Sequence, residues 1–139
     1  MAKKTLILSL LISISFSCNQ NKLSKRTSEG GNTLIVRILP KKKLEIYEQQ
    51  YNKEGAVTKV EKFVKRNIES NQVLIRVGVG ADYHFYLEVS NLIREIYYDE
   101  RNQESLDRFG KKFDDLEKPK QEELKKEIPL NLKIEYEKK

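Results

Sequence analysis

The stretch "NQVLIRVGVGADYHFYLEVSNLIREI", residues 71–96, decides the fold. Val73, Ile75, Val77 and Val79 alternate along it, so they fall on one face of a strand, and Leu74 adds apolar surface to the other face. "GVGAD" then breaks the pattern, and Asp82 stands where a helix N-cap belongs. From Phe85 the period changes. Phe85, Val89, Leu92, Ile93 and Ile96 recur at helical spacing and make one apolar stripe. A buried strand followed by an amphipathic helix is half of a layered sheet-and-helix domain.

Working upstream, "TLIVRIL" (33–39) reads as a strand stopped by Pro40, and "KLEIYEQ" (43–49) as a second strand. "YNKEGA" reads as a turn, and Thr58 with Glu61 fits a capping box, so a helix is expected from Thr58 with Val60, Phe63, Val64 and Ile68 on its apolar face. Downstream, the helix continues as a charged extension with Leu106 and Phe109, and Gly110 can end it. Phe113 and Leu116 offer a further buried edge, and Pro119 favours a short helix over "KQEELKKE". "LNLKIEY" (130–136) is a last alternating strand. The expected order is β-β-α-β-α-(α)-β. This is a small two-layer α+β domain: a mixed sheet of about four or five strands with two main helices on one face.

The N-terminus sets the compartment. Lys3 and Lys4 precede an uncharged run from Thr5 to Phe16, which is shorter than the about 20 residues a membrane-spanning helix needs. A positive start, a short apolar centre and small residues at the exit describe a secretory signal peptide over residues 1–17. Cys18, the only cysteine, follows directly. That ending is similar to a bacterial lipoprotein signal, in which the cysteine carries a diacylglyceryl group. Ser15 and Ser17 also satisfy the small-x-small rule of ordinary signal peptidase, which would leave a free thiol, and an uncut anchor is a third reading. Lipidation is the expectation, because a lone exported cysteine has no disulfide partner. Residues 18–32 then form a polar tether ending near Gly30-Gly31, and residues 33–139 are the domain.

Composition narrows the classes further. Loss of residues 1–17 removes two lysines and no acid, lowering the net charge from +6 to +4. With export expected, that balance does not argue for nucleic acid, and no Arg-Lys stripe with interleaved aromatics occurs. It suits a weak, salt-screened attraction to anionic lipid headgroups or wall polymers. The roughly 120 residues that remain suffice for one core.

Residues 71–116 resemble the periplasmic domain of the ExbD/TolR family. The resemblance rests on the strand Val73–Arg76, the turn to Tyr83, and the helix segment Glu88–Arg94. It extends to Arg101, Asn102, Phe109, Gly110, Phe113 and Leu116, a pattern similar to an extension that some members carry, and "EIPLNLKIEY" resembles the family's closing strand. It implies an exported, partner-binding fold: a homodimer, contact with an ExbB/TolQ-like channel subunit or a TonB-like protein, or contact with peptidoglycan. Family members have a true transmembrane helix with an aspartate for the proton relay, whereas residues 5–17 are too short and hold no Asp. The expectation is therefore a membrane-anchored, periplasm-facing adaptor of an energy-coupled envelope transport system without its own relay carboxylate. The alternative is a structural envelope lipoprotein that binds peptidoglycan or another envelope protein.

Candidate chemistry is sparse. His84, the only histidine, sits in an expected first helical turn and reads as solvated, with no second ligand at a metal spacing. "GVGAD" lacks the third glycine and the lysine of a phosphate loop. Asp114 with Asp115 and Glu122 with Glu123 are neighbours that point apart on a helix, so they read as solvated faces. Tyr47, Tyr51, Tyr97 and Tyr98 are a candidate partner surface, although half-buried structural tyrosines are the commoner case. No catalytic set, cofactor or metal is expected. The mass of the mature N-terminus checks the anchor: the expected outcome is a chain beginning at Cys18 and carrying a diacylglyceryl group, and an unmodified Cys18 rules the anchor out.

Overall fold

The computed structural model describes residues 32–66 and 68–138. The segments read as signal peptide and tether, with Cys18, lie outside the described residues except for Asn32. Nine elements follow in order: β1 (Thr33–Leu39), β2 (Lys43–Ile46), β3 (Gln49–Tyr51), α1 (Lys53–Arg66), β4 (Gln72–Val77), α2 (Tyr83–Phe109), a 3-10 turn (Phe113–Asp115), α3 (Lys118–Glu127) and β5 (Leu132–Tyr136). The strands form one sheet in the order β3-β2-β1-β4-β5. β1 pairs in parallel with β4, and β4 in parallel with β5, while β2 and β3 are antiparallel additions. This is the small mixed-sheet α+β domain that the patterning predicts.

Parallel neighbours need crossover connections, and α1 and α2 supply them. Both lie on the same face. Val60 and Val64 of α1 and Phe85, Val89, Ile93 and Ile96 of α2 join Leu34, Val36, Ile38, Leu44, Ile46, Val73, Ile75 and Val77 in one buried cluster. The opposite face alternates into charge: Arg37 bonds Glu45 at 2.9 Å and Glu137 at 2.8 Å, and Arg76 bonds Glu135 at 3.2 Å. Each fully buried Val, Leu or Ile contributes about 1.5–3 kcal/mol, against about 0–1 kcal/mol for a partly exposed ion pair. The apolar face therefore holds the fold, and the charged face marks the register.

Three local expectations are corrected. The second strand does not run through residue 49. Tyr47 and Glu48 both take positive φ, 52° and 60°, and turn the chain back into β3. Two left-handed residues in a two-residue loop match the twist of the flanking strands. The helix expected from Thr58 begins at Lys53, because Asn52 Oδ1 accepts from Gly55 N at 2.8 Å and caps it earlier. Thr58 instead donates to the Glu54 carbonyl at 3.0 Å, and Glu61 pairs with Lys65. Val79 leaves the strand face: β4 ends at Val77 and Val79 is 45% exposed in the turn beyond.

Helix α2 outruns the sheet. Its 27 residues span about 40 Å, against about 20 Å for the six residues of β4. The overhanging half needs its own cover, and Phe109, Phe113, Leu116 and Leu124 form a second small core there. Residues of the 101–116 tail pattern hold this annex together. Arg101 Nε donates to the Ile128 carbonyl at 2.9 Å, Asn102 Oδ1 accepts from Phe113 N at 3.1 Å, and Gly110 ends α2 at φ 65°. Arg108 gathers Glu104, Glu123 and Glu127 across α2 and α3. Leu124→Ala should lower unfolding free energy by about 2–5 kcal/mol. Chemical denaturation measures it, and limited proteolysis should cut α3 before the sheet.

Candidate functional site

The C-terminal ends of the parallel strands β1, β4 and β5 converge at one end of the domain, the usual position for a site on such a sheet. Two loops meet there, 40–42 after β1 and 78–82 after β4. They approach closely. Gly78 N donates to the Ile38 carbonyl at 2.8 Å, and a Cβ at Gly78 would stand 2.9 Å from that same oxygen, so only glycine fits. Gly80, at φ 79°, turns the chain into α2. Asp82 Oδ1 accepts from Phe85 N at 2.8 Å. That hydrogen bond, helped by Lys42 and His84, holds the Asp82 carboxyl below its ordinary range. The helix start is thus closed by the chain's own carboxylate, as expected of a tight turn into a capped helix.

Beside this turn stands an aromatic row. Tyr83 and Tyr86 lie with ring centroids 5.7 Å apart, and Tyr86 and Tyr136 at 6.1 Å in an edge-to-face arrangement. Interaction with Tyr136 and burial push the Tyr86 phenol up. His84 contacts Tyr83 by an edge, with centroids 6.2 Å apart, and is otherwise exposed, in line with a solvated first-turn residue. The row links the first turn of α2 to the end of β5, and β5 is the edge of the sheet. Val73 N donates to Asn131 O, and Glu137 N donates to Val77 O. In a parallel ladder that alternation turns the backbone groups of Leu132, Ile134 and Tyr136 away from β4. Among the described residues, no strand takes them up. The side chains of Leu132 and Ile134 remain half-buried against the core.

The other residues singled out by sequence do not gather into one site. Tyr97 is fully buried, with its hydroxyl 3.5 Å and 3.4 Å from the carbonyls of Asn71 and Asn131, and burial pushes it up to about 12. Tyr98 donates to Asp114 at 2.6 Å, Tyr51 donates to Gln49, and Tyr47 projects from the β2–β3 turn. These four tyrosines therefore make no common surface. Glu122 pairs with Lys125, and Glu123 pairs with Arg108. A shallow groove of about 550 Å³ separates α1 from α2, floored by Val57, Leu92 and Ile96, with Lys65 bonded to Glu61 and Glu100 across it. Among the described residues, no group of three metal-ligating side chains occurs and no helix is long and apolar enough to cross a membrane. The row that does assemble, Tyr83, Tyr86 and Tyr136, joins residues about 50 positions apart through the parallel β4–β5 register. The alternation of "LNLKIEY" places Tyr136 on the helix-facing side, which was the one sequence signal for it.

No known protein family matches the chain, and no characterised protein matches it.

The depressed Asp82 carboxyl sets a pH test. Its charged form is favoured in the folded state, so its contribution is present above the ordinary value of 3.8 and disappears as pH falls through the lower folded value. Asp82→Ala should unfold at lower denaturant than the parent near neutral pH, and the gap should close on acidification below 3.8. Urea midpoints across that pH range measure both.

Proposed function

We propose that this chain is a membrane-anchored, periplasm-facing adaptor that binds the extended segment of a partner along the β5 edge. The supporting observation is the edge itself: five residues, parallel to β4, with the backbone donors and acceptors of Leu132, Ile134 and Tyr136 turned outward. An unpaired strand offers a ladder of hydrogen bonds to an incoming strand, and alternate side chains select which strand it accepts. Here the selecting side chains are Leu132, Ile134 and Tyr136, of which Tyr136 is 61% exposed. Lys133 and Glu135 alternate with them on the other face, and such charges discourage indiscriminate pairing. The opposite edge, β3, is only three residues long.

The partner class comes from the sequence resemblance to ExbD/TolR periplasmic domains. An ExbB/TolQ-like channel subunit or a TonB-like protein is the expected partner. Cys18 supplies the anchor, and the proton relay belongs to other subunits, since residues 5–17 hold no carboxylate. Glu104, Glu122, Glu123 and Glu127 of the annex are engaged in its own ion pairs, which favours a binding role over acid-base catalysis.

The test places a photo-reactive residue at Tyr136 and, as control, at Gln50 on the β3 edge, in intact membranes. Adducts from position 136 with a channel subunit or a TonB-like protein, and none from position 50, are expected. Adducts only with wall-bound proteins would replace the transport role with a structural one.

A further inference from the structure

The 40–42 loop and the start of β2 hold three consecutive lysines, Lys41, Lys42 and Lys43, all exposed. Lys41 and Lys42 both sit in the left-handed region, at φ 60° and 56°. That region is uncommon for side-chain-bearing residues, and two in succession commit this loop to a shape that holds its cations outward. Among the described residues none of the three is in an ion pair, and Lys42 only adds its field at Asp82. The carboxylates around them are already engaged. Asp82 caps α2, and Glu45 and Glu137 both hold Arg37.

An apolar tip stands next to this cationic loop. Val79 is 45% exposed between Gly78 and Gly80, and a Cβ at Gly80 would lie 3.8 Å from Pro40 Cγ, so the two loops are in contact. Tyr83, 62% exposed, follows one turn-length on, and His84 lies against it. Lysines on the neighbouring loop, an exposed aliphatic tip and an amphipathic phenol match the layers of a membrane surface. Cations meet lipid phosphates, phenols sit at headgroup depth, and aliphatic carbons reach the acyl boundary.

We infer that this end of the domain seats on an anionic lipid bilayer, with Lys41, Lys42 and Lys43 at the phosphates and Val79 and Tyr83 entering the headgroup layer. Charge complementarity alone would also admit a soluble polyanion. The bilayer is favoured because Val79 gains nothing from a hydrated polymer, whereas a bilayer removes it from water. The surface adjoins the β5 edge through the Tyr83–Tyr86–Tyr136 row but shares none of its residues, and the inference does not depend on what binds there or on Cys18.

The experiment uses the full chain with Cys18→Ser, so that no acyl group is present, and Val79→Cys labelled with nitrobenzoxadiazole. Vesicles of equal parts phosphatidylglycerol and phosphatidylcholine are compared with pure phosphatidylcholine. Residues 5–17 are present in every variant and with both kinds of vesicle, so the signal is the difference between the two vesicle types. A blue-shifted, brighter emission at position 79 on anionic vesicles is expected, reversed by salt. Lys41→Gln/Lys42→Gln/Lys43→Gln should weaken it about a hundredfold. A label at Ser70→Cys, at the opposite end of the sheet, should stay silent, and circular dichroism should show all variants folded. The inference is overturned by an absent shift at position 79, by a shift that survives the triple substitution, or by equal shifts at 79 and 70. Binding of soluble polyglycerol phosphate by the lysines, with no shift on vesicles, also overturns it.

Discussion

The parallel pairing of β1 with β4 is the constraint on which the rest of the domain depends. Val36 and Ile75 face each other at its centre, and neither has measurable exposure. Parallel neighbours cannot be joined by a hairpin, so the chain must leave the sheet and return. Between β1 and β4 it builds the β2–β3 hairpin and α1; between β4 and β5 it builds α2 and the annex. Crossovers of one hand that step across the sheet in one direction put both helices on one face, and the apolar cluster lies there.

That one-sided arrangement explains both remaining surfaces. With the helices on one side, the other face is left to Arg37, Arg76 and their carboxylate partners. The sheet also ends on a parallel strand, β5, with nothing beyond it among the described residues. The length of α2 has a similar consequence. A helix twice as long as the strands beneath it must find a second cover, and the Phe113–Leu124 annex provides it. Arg101, Asn102 and Gly110 each have a structural task in that cover. The tail pattern over residues 101–116 therefore acts in folding, and it says how the annex closes without identifying a binding residue.

The elements with the clearest local chemistry were legible from sequence. Asp82 and Gly110 cap α2 where propensity places them, because a side-chain acceptor and a left-handed C-cap act within a few residues. The strand over residues 33–39 and the alternation of Val73, Ile75 and Val77 are read correctly for the same reason, since the core-facing positions repeat every second residue. The start of α1 was misread. Asn52 and Thr58 are both competent caps, and the choice went to Asn52, which lengthens α1 so that Ala56 joins the buried cluster. The β2–β3 turn was missed because Tyr47 and Glu48 are not residues that signal positive φ.

By itself the sequence determined the class of fold, the existence of the two main helices and the caps of α2. Each of these is written in periodicity or in a local run of residues. Only the tertiary structure decided that Tyr83, Tyr86 and Tyr136 share one row, that Tyr97 is core, and that the loop starting at Pro40 meets the loop carrying Gly80. These neighbours belong to different elements, brought to one end by the register of the parallel strands. Register is set by the sum of packing across the sheet, and no short window of sequence contains that sum.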